Sequence, residues 1–294
     1  MSRRAQGRFL WVMLGPAVSV YALFVLVPAF SAFSTSLTRW DGLRKPEFVG
    51  LSNFLALLSP GSDFWNAARH NLYLMVVPGS ITIVLALFFA YSLHQNVRGA
   101  RLFRVAFFFP NVISSVAVAM LWVLIYSTGK AGLLNNLLRT FLGPEMKPIP
   151  FTQSDRLLGA IVPMAVWTTA GFYMVLFLAA MQNIPTTYYE AAHLDGAGSA
   201  RTFFKITLPL MWDVLTTGIL FAIIGGLKFF DSVWVMENGR PKGTTHTIST
   251  LMYSRVFEEY DIGMGTAIAV LLFLLVLAIT AVVRRAMKRE PLEY

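Results

Sequence analysis

Apolar residues in this chain gather in long runs separated by short polar stretches, with none of the one-in-two alternation of a half-buried strand. Six runs stand out, at about 10–34, 72–94, 105–127, 157–181, 213–235 and 263–283. Each approaches or exceeds the ~20 residues that carry a helix across bilayer hydrocarbon. In that medium every backbone N–H and C=O must find its partner within the segment or in a closed barrel, so the runs predict helices. The expected fold is all-α: a polytopic membrane helix bundle with six transmembrane helices, forming a single transmembrane domain over residues 1–294.

Composition agrees with that class. The chain is 56% hydrophobic and 13% charged, against ~25% charged for soluble domains. Its net charge of +9 is scattered among apolar runs and builds no basic stripe interleaved with aromatics, which argues against a nucleic-acid partner. With no cysteine, disulfides, thiolate chemistry and cysteine-held metals are excluded.

The basic residues also orient the bundle. Arg3, Arg4 and Arg8 precede the first run, Arg98, Arg101 and Arg104 fill the short second connection, Arg201 and Lys205 lie in the fourth, and Arg284, Arg285, Lys288 and Arg289 follow the last. With six crossings these groups share one side, close to the helix ends. The Lys and Arg residues of the other side are spread over longer loops and mixed with acids. Positive charge near span ends marks the cytoplasm, so both termini are expected there. The start MSRRAQGRFLWVML has the basic and apolar order of a signal peptide, but its apolar stretch exceeds the ~7–15 residues of a signal core and is read as an uncleaved first helix.

Several chemistries lack their residues. No GxxxxGK[ST] phosphate loop is present; STGKAG at 127–132 has a Gly-Lys pair without the preceding glycine spacing. His70, His94, His193 and His246 show no helical ligand spacing, so no metal site is expected. No buried carboxylate pair or Ser/His/Asp set can be assembled, and no catalytic residue is assigned. A self-sufficient secondary carrier would place ionisable groups deep in the bilayer, yet the span interiors offer only Lys228 and Asp231. Three residues apart, these two would share a helix face. They fit either a paired couple near the outer interface, with Lys228 snorkelling, or the lining of a polar path.

The fourth connection, 182–211, is the long one on the cytoplasmic side and carries EAAHLDGAGSARTFFKITLPL. Pro185 suits the first turn of a helix that Thr186 to Leu194 can continue. Gly196 and Gly198 then break it, Ser199 is a plausible N-cap for a second helix, and Pro209 marks the turn into the fifth span. The small residues Ala191, Ala192, Gly196, Ala197, Gly198 and Ala200 would let another surface come close to the backbone, with Glu190 and Asp195 available for polar pairing. A surface-lying connector without a partner fits the same residues.

The pattern Glu190-Ala191-Ala192, Asp195-Gly196-Ala197, Phe204, Ile206, Leu208-Pro209 resembles the EAA signature of permease subunits of binding-protein-dependent ATP-binding-cassette importers. SLTRWDG, RVAFFFPNVISSVAVAMLW, GLLNNLL, FFDSVWVMENGRP and GMGTAIAVLLFLL are similar to the maltose-type sugar permease branch, so the likeness spans nearly the whole chain. ENGRPKGTTHT carries less glycine than that family tends to have.

The resemblance implies a half-pathway for a sugar or oligosaccharide in a bacterial or archaeal cell membrane. It implies as partners a second homologous permease, two ATPase subunits and an extracytoplasmic solute-binding protein. ATP and magnesium would sit on the ATPase subunits and no cofactor on this chain. The EAA segment of the 182–211 loop would be the coupling helix, with Glu190 making the polar contact to the ATPase, Ala191 and Ala192 allowing close packing and Gly196 forming the bend, and Asp195 and Ala197 within the same coupling segment. Thr168, Thr169, Phe172, Gly226 and Phe229 match positions that line the sugar cavity.

Overall fold

The computed structural model describes residues 3–95 and 98–289, with side chains from Val12 onward. The side chains of Arg3, Arg4 and Arg8, read above as cytoplasmic markers, lie outside the described residues. In chain order the elements are α1 (Arg3–Tyr21), a π turn at Ala22–Leu26, α2 (Val27–Thr35), the short strands β1 (Thr38–Arg39) and β2 (Glu47–Phe48), α3 (Ser52–Leu58), α4 (Asp63–His94), α5 (Ala100–Val112), α6 (Ser115–Ile125), α7 (Leu133–Leu142) and α8 (Leu157–Gln182). Then follow α9 (Thr186–Leu194), α10 (Ser199–Thr202), a π turn at Phe203–Thr207, α11 (Leu208–Leu210), α12 (Trp212–Leu227), α13 (Asp231–Met236), α14 (Ile248–Tyr253), a π turn at Ser254–Glu258 and α15 (Ile262–Ala286).

Five helical stretches are long and apolar enough to cross a membrane: Val12–Thr35, Asp63–His94, Leu157–Gln182, Trp212–Met236 and Ile262–Ala286. The sixth candidate is a bent pair. The run expected as one helix over 105–127 is two, α5 and α6, meeting at 98°. Ile113 and Ser114 between them are extended, with ψ of 141° and 135°. Pro110 in the last turn of α5 has no N–H to give to the turn before it, which weakens the helix ahead of that break.

The chain forms two compact units, Met1–Phe64 with Leu251–Leu274 and Trp65–Thr250 with Leu275–Tyr294. In the first, β1 and β2 pair antiparallel with Thr38 opposite Phe48 and Arg39 opposite Glu47. Asp41 closes the turn after β1 by accepting the Arg44 and Leu43 N–H groups at 2.8 and 3.0 Å. These two backbone donors, that of Arg44 foremost, hold its carboxyl below the usual carboxylate value. The Trp40 carbonyl accepts the N–H of Ile262 at 2.9 Å, and so meets a free donor at the start of α15. Arg255 joins Asp63 and Glu259 at 3.5 and 2.5 Å.

The second unit is organised around α8, buried along much of its length. α4 buries Ala67, Asn71, Leu74, Pro78, Thr82, Ala86, Ala90 and Leu93, a stripe stepping by three or four residues, as a helix pressed on one side requires. Towards the fourth connection Ala86, Ala90, Met174, Phe177, Met181 and Leu215 form one apolar cluster. Leu74, Val118, Leu157, Ile161 and Val233 form another, at the other end of α8.

The fifth run is also interrupted. α12 ends at Leu227 and α13 begins at Asp231, with Phe230 at φ −134°, ψ −65°. Such a break leaves backbone carbonyls without helical partners, and fully buried Asn71 takes two of them. Its Nδ2 donates to Gly226 O and Leu227 O, both at 2.9 Å, while its Oδ1 accepts from Ile248 N at 2.7 Å. Asn71→Ala would strand three buried backbone groups at about 1–3 kcal/mol each. Thermal unfolding of the purified chain should show a loss of about 3 kcal/mol or more; an unchanged midpoint would count against this role.

Candidate functional site

A recess of about 210 Å³ lies within the second unit, walled by α4, α8 and α12 with Phe229 at its edge. Three residues singled out from the sequence line it: Thr169, Gly226 and Phe229. The others do not. Thr168 turns its hydroxyl back to Met164 O at 2.8 Å. Phe172 stacks its ring edge on Tyr173 and lies 6.3 Å from Phe221, centroid to centroid.

Lys228 and Asp231 also lie away from the cavity, and the shared helix face expected for them is lost at the break. Exposed Lys228 terminates α12, and Asp231 opens α13 and accepts a hydrogen bond from Ser115 Oγ at the start of α6. The broken backbone therefore ties α13 to the bent third crossing rather than pairing Asp231 with Lys228.

Two polar wall residues escaped the sequence reading, Thr82 and Tyr173. Thr82 is buried with its hydroxyl 3.4 Å from that of Thr169, whose own proton goes to Ala165 O at 2.7 Å. The available signal was VPGSIT in the second run, where Pro78, Gly79 and Thr82 put a proline, a small residue and a hydroxyl on neighbouring positions of one helix face. Close helix approach shapes the same wall: a Cβ on Gly226 would sit 2.4 Å from Met75 Cα. Backbone approach of that kind exposes peptide groups and small surfaces to a solute.

In the fourth connection α9 spans the residues expected for it. Its end has a physical reason for glycine. Gly196 adopts φ +73°, its N–H bonds His193 O at 3.0 Å, and Ala197 N–H bonds Ala192 O at 2.9 Å. This pair of bonds closes a helix C-terminus around a left-handed residue. The next helix is capped differently from expectation: extended Gly198 holds the cap position and Ser199 is the first helical residue. Pro209 lies inside α11, directly after the widened π turn, where an absent N–H is more easily tolerated.

The segment is fixed to its own bundle by one face. Tyr91 Oη donates to Ser199 O at 2.9 Å, Tyr189 Oη lies 3.4 Å from Thr207 Oγ1, and Ile184 and Ala192 are buried. Ala192, at 6% exposure, therefore packs inward. Glu190, Ala191, Asp195 and Gly196 are exposed, Ala197 is half-buried, and Leu194 is 87% exposed. Among the described residues Glu190 and Asp195 belong to no ion pair. Nor do those residues hold a cluster of side chains able to bind a metal.

An apolar bundle that holds a small, weakly polar recess between its helices and presents an anchored, solvent-exposed helix to the side rich in basic residues has the make-up of a membrane transport component. The chain belongs to the family of binding-protein-dependent transport system inner membrane components, whose model matches residues 82–289. It is similar to the trehalose/maltose transport system permease protein MalF of Thermococcus litoralis, with 34% identity over 92% of this chain and 91% of that one. It is also similar to the diacetylchitobiose uptake system permease protein NgcF of Streptomyces coelicolor, with 32% identity over 94% and 81%. In fold it matches a bacterial alginate ABC transporter solved with a periplasmic protein carrying an alginate pentasaccharide, at a TM-score of 0.84, 21% identity and coverage of 98% and 96%. The chain is thus a multi-pass inner membrane transport subunit and not an enzyme.

Proposed function

We propose that the chain is one permease of an ATP-driven sugar importer, supplying half of the path for a sugar or oligosaccharide. The observation that carries this reading is the exposed face of α9, with Glu190, Ala191 and Leu194 free while Ala192 is buried and the Tyr189 ring lies 5.2 Å from that of His94 on α4, centroid to centroid. The named relatives handle trehalose and maltose or diacetylchitobiose, which supports a saccharide as the solute class.

A second homologous permease completes the path. The cavity of about 210 Å³ falls short of the ~300–1,000 Å³ usual for small-molecule sites. Thr82, Thr169 and Tyr173 supply hydroxyls for hydrogen bonds, and Phe229 supplies a ring for the C–H face of a sugar. Two ATPase subunits hold the ATP and magnesium, one of them docking on α9, and an extracytoplasmic binding protein delivers the solute. When the ATPase pair closes, the load passes through α9 and α10 into α8 and α12, two of the three helices that wall the cavity. Rigid elements moving between two arrangements suffice for this switch.

The test is reconstitution in vesicles. The full chain with its permease and ATPase partners should accumulate sugar only when ATP is supplied inside and loaded binding protein outside. Uptake by the chain alone along an ion gradient would overturn the reading in favour of a self-sufficient carrier.

A further inference from the structure

Where α15 ends, a recess of about 850 Å³ opens between its last turns and the first turns of α12. That volume lies within the ~300–1,000 Å³ range of ligand sites. Arg284, Arg285, Lys288 and Arg289 line it. None of the four belongs to an ion pair among the described residues. Asp213 also lines the recess and leaves the balance strongly positive.

The cations are gathered by the fold. Trp212 Nε1 donates to Met287 O at 2.7 Å, and the Arg289 guanidinium lies 3.7 Å from the centre of the Trp212 ring. These two contacts fasten the tail of α15 to the start of α12. Three threonines line the same recess. Thr216 and Thr217 donate one turn back to Trp212 O and Asp213 O, both at 2.9 Å, leaving their oxygens able to accept. Thr280 Oγ1 is buried and has no partner among the described residues. A buried hydroxyl costs free energy until a partner reaches it.

We propose that this recess binds the phosphate of an anionic phospholipid from the cytoplasmic leaflet, with the arginines and lysine on its oxygens and Thr280 donating one hydrogen bond. A lipid suits the site better than a free phosphate because the charged rim runs into an apolar wall, Leu220 and exposed Leu277, at the level of the acyl chains. Basic recesses between helices on the cytoplasmic side have the charge and position for such headgroups.

The test is native mass spectrometry of the full chain, released from micelles containing phosphatidylcholine and phosphatidylglycerol. The wild type should retain one phosphatidylglycerol in preference to phosphatidylcholine. Arg284→Gln/Arg285→Gln/Lys288→Gln should lower that preference about 100-fold, at about five-fold for each charge. Thr280→Val, which keeps shape and charge, should lower it about ten-fold, as expected for a hydrogen bond to a charged group. It also keeps the test decisive if the triple variant does not fold. Arg98→Gln/Arg101→Gln, on the same side of the membrane, should leave the preference intact.

The proposal fails if the triple variant and Thr280→Val retain the lipid as the wild type does. It fails equally if the control variant loses as much, since a general surface potential would then be responsible. Displacement of the lipid by millimolar inorganic phosphate would identify a free-anion site instead. Variants that keep the lipid but no longer hold an ATPase partner would identify a protein contact.

Discussion

Gly171→Leu should prevent the chain from reaching a folded state in the membrane, and Gly171→Ala should already lower its stability by about 3 kcal/mol, at the upper end of typical overpacking costs. A Cβ built on Gly171 falls 1.9 Å from Phe107 O, 2.3 Å from Phe107 C and 2.7 Å from Phe108 N. These are backbone atoms of α5, so no rotamer change can clear them. One helix must move off the other, and the contact at stake joins the bent third crossing to buried α8. Without a hydrophobic drive between helices in lipid, close packing of this kind carries much of their association. A loss of that size is a large share of the ~5–15 kcal/mol that separates folded from unfolded chains. Gly159→Ala, on the same helix, serves as the control because its Cβ would meet nothing within 4 Å. The measurement is thermal unfolding of the purified full chain. Equal midpoints for the two alanine variants would show that α5 and α8 do not depend on this approach.

The parts that sequence reveals are those decided locally. Length and hydropathy reveal each apolar run because a bilayer asks the same of every crossing helix. Pro185 and Gly196 reveal α9 because a proline start and a left-handed end are properties of single residues. The break at Leu227–Asp231 is different: it persists because Asn71, more than 150 positions earlier, takes the released carbonyls, and because Ser115 reaches Asp231 across the bundle. Spacing along a continuous helix therefore put Lys228 and Asp231 on one face, whereas tertiary partners put them on separate helices.

The cavity shows the same division. Thr169, Gly226 and Phe229 belong to spans flanking the cytoplasmic connection and were found there, while Thr82 lies on α4 and meets them only through helix packing. Ala192 was legible as a small residue within a small-residue pattern. Its inward direction was not, because the face of α9 that is buried is set by tertiary neighbours, with Tyr189 3.4 Å from Thr207 Oγ1 and packed on His94.

The sharpest test of the coupling role follows from that anchoring. Glu190→Lys should reduce binding-protein-stimulated ATP hydrolysis and sugar uptake by about 100-fold or more, while the unfolding midpoint of the chain alone stays where it was. Glu190 is exposed and belongs to no ion pair among the described residues. Within its own chain the change is a surface substitution, normally within about 0.5 kcal/mol. Against a docked ATPase the same carboxylate would be desolvated and paired. Removing one partner of such a pair costs about 2–5 kcal/mol, and 2.7 kcal/mol already corresponds to about 100-fold. Reversal adds repulsion to that loss. Glu145→Lys makes the same charge change at an exposed position outside α9 and should leave both activities intact. The decisive comparison is transport by the two variants in one reconstitution: equal transport would return α9 to the status of a surface connector. Loss of transport by Glu190→Lys alone, with the midpoint unchanged, places the loss at the contact between α9 and its partner.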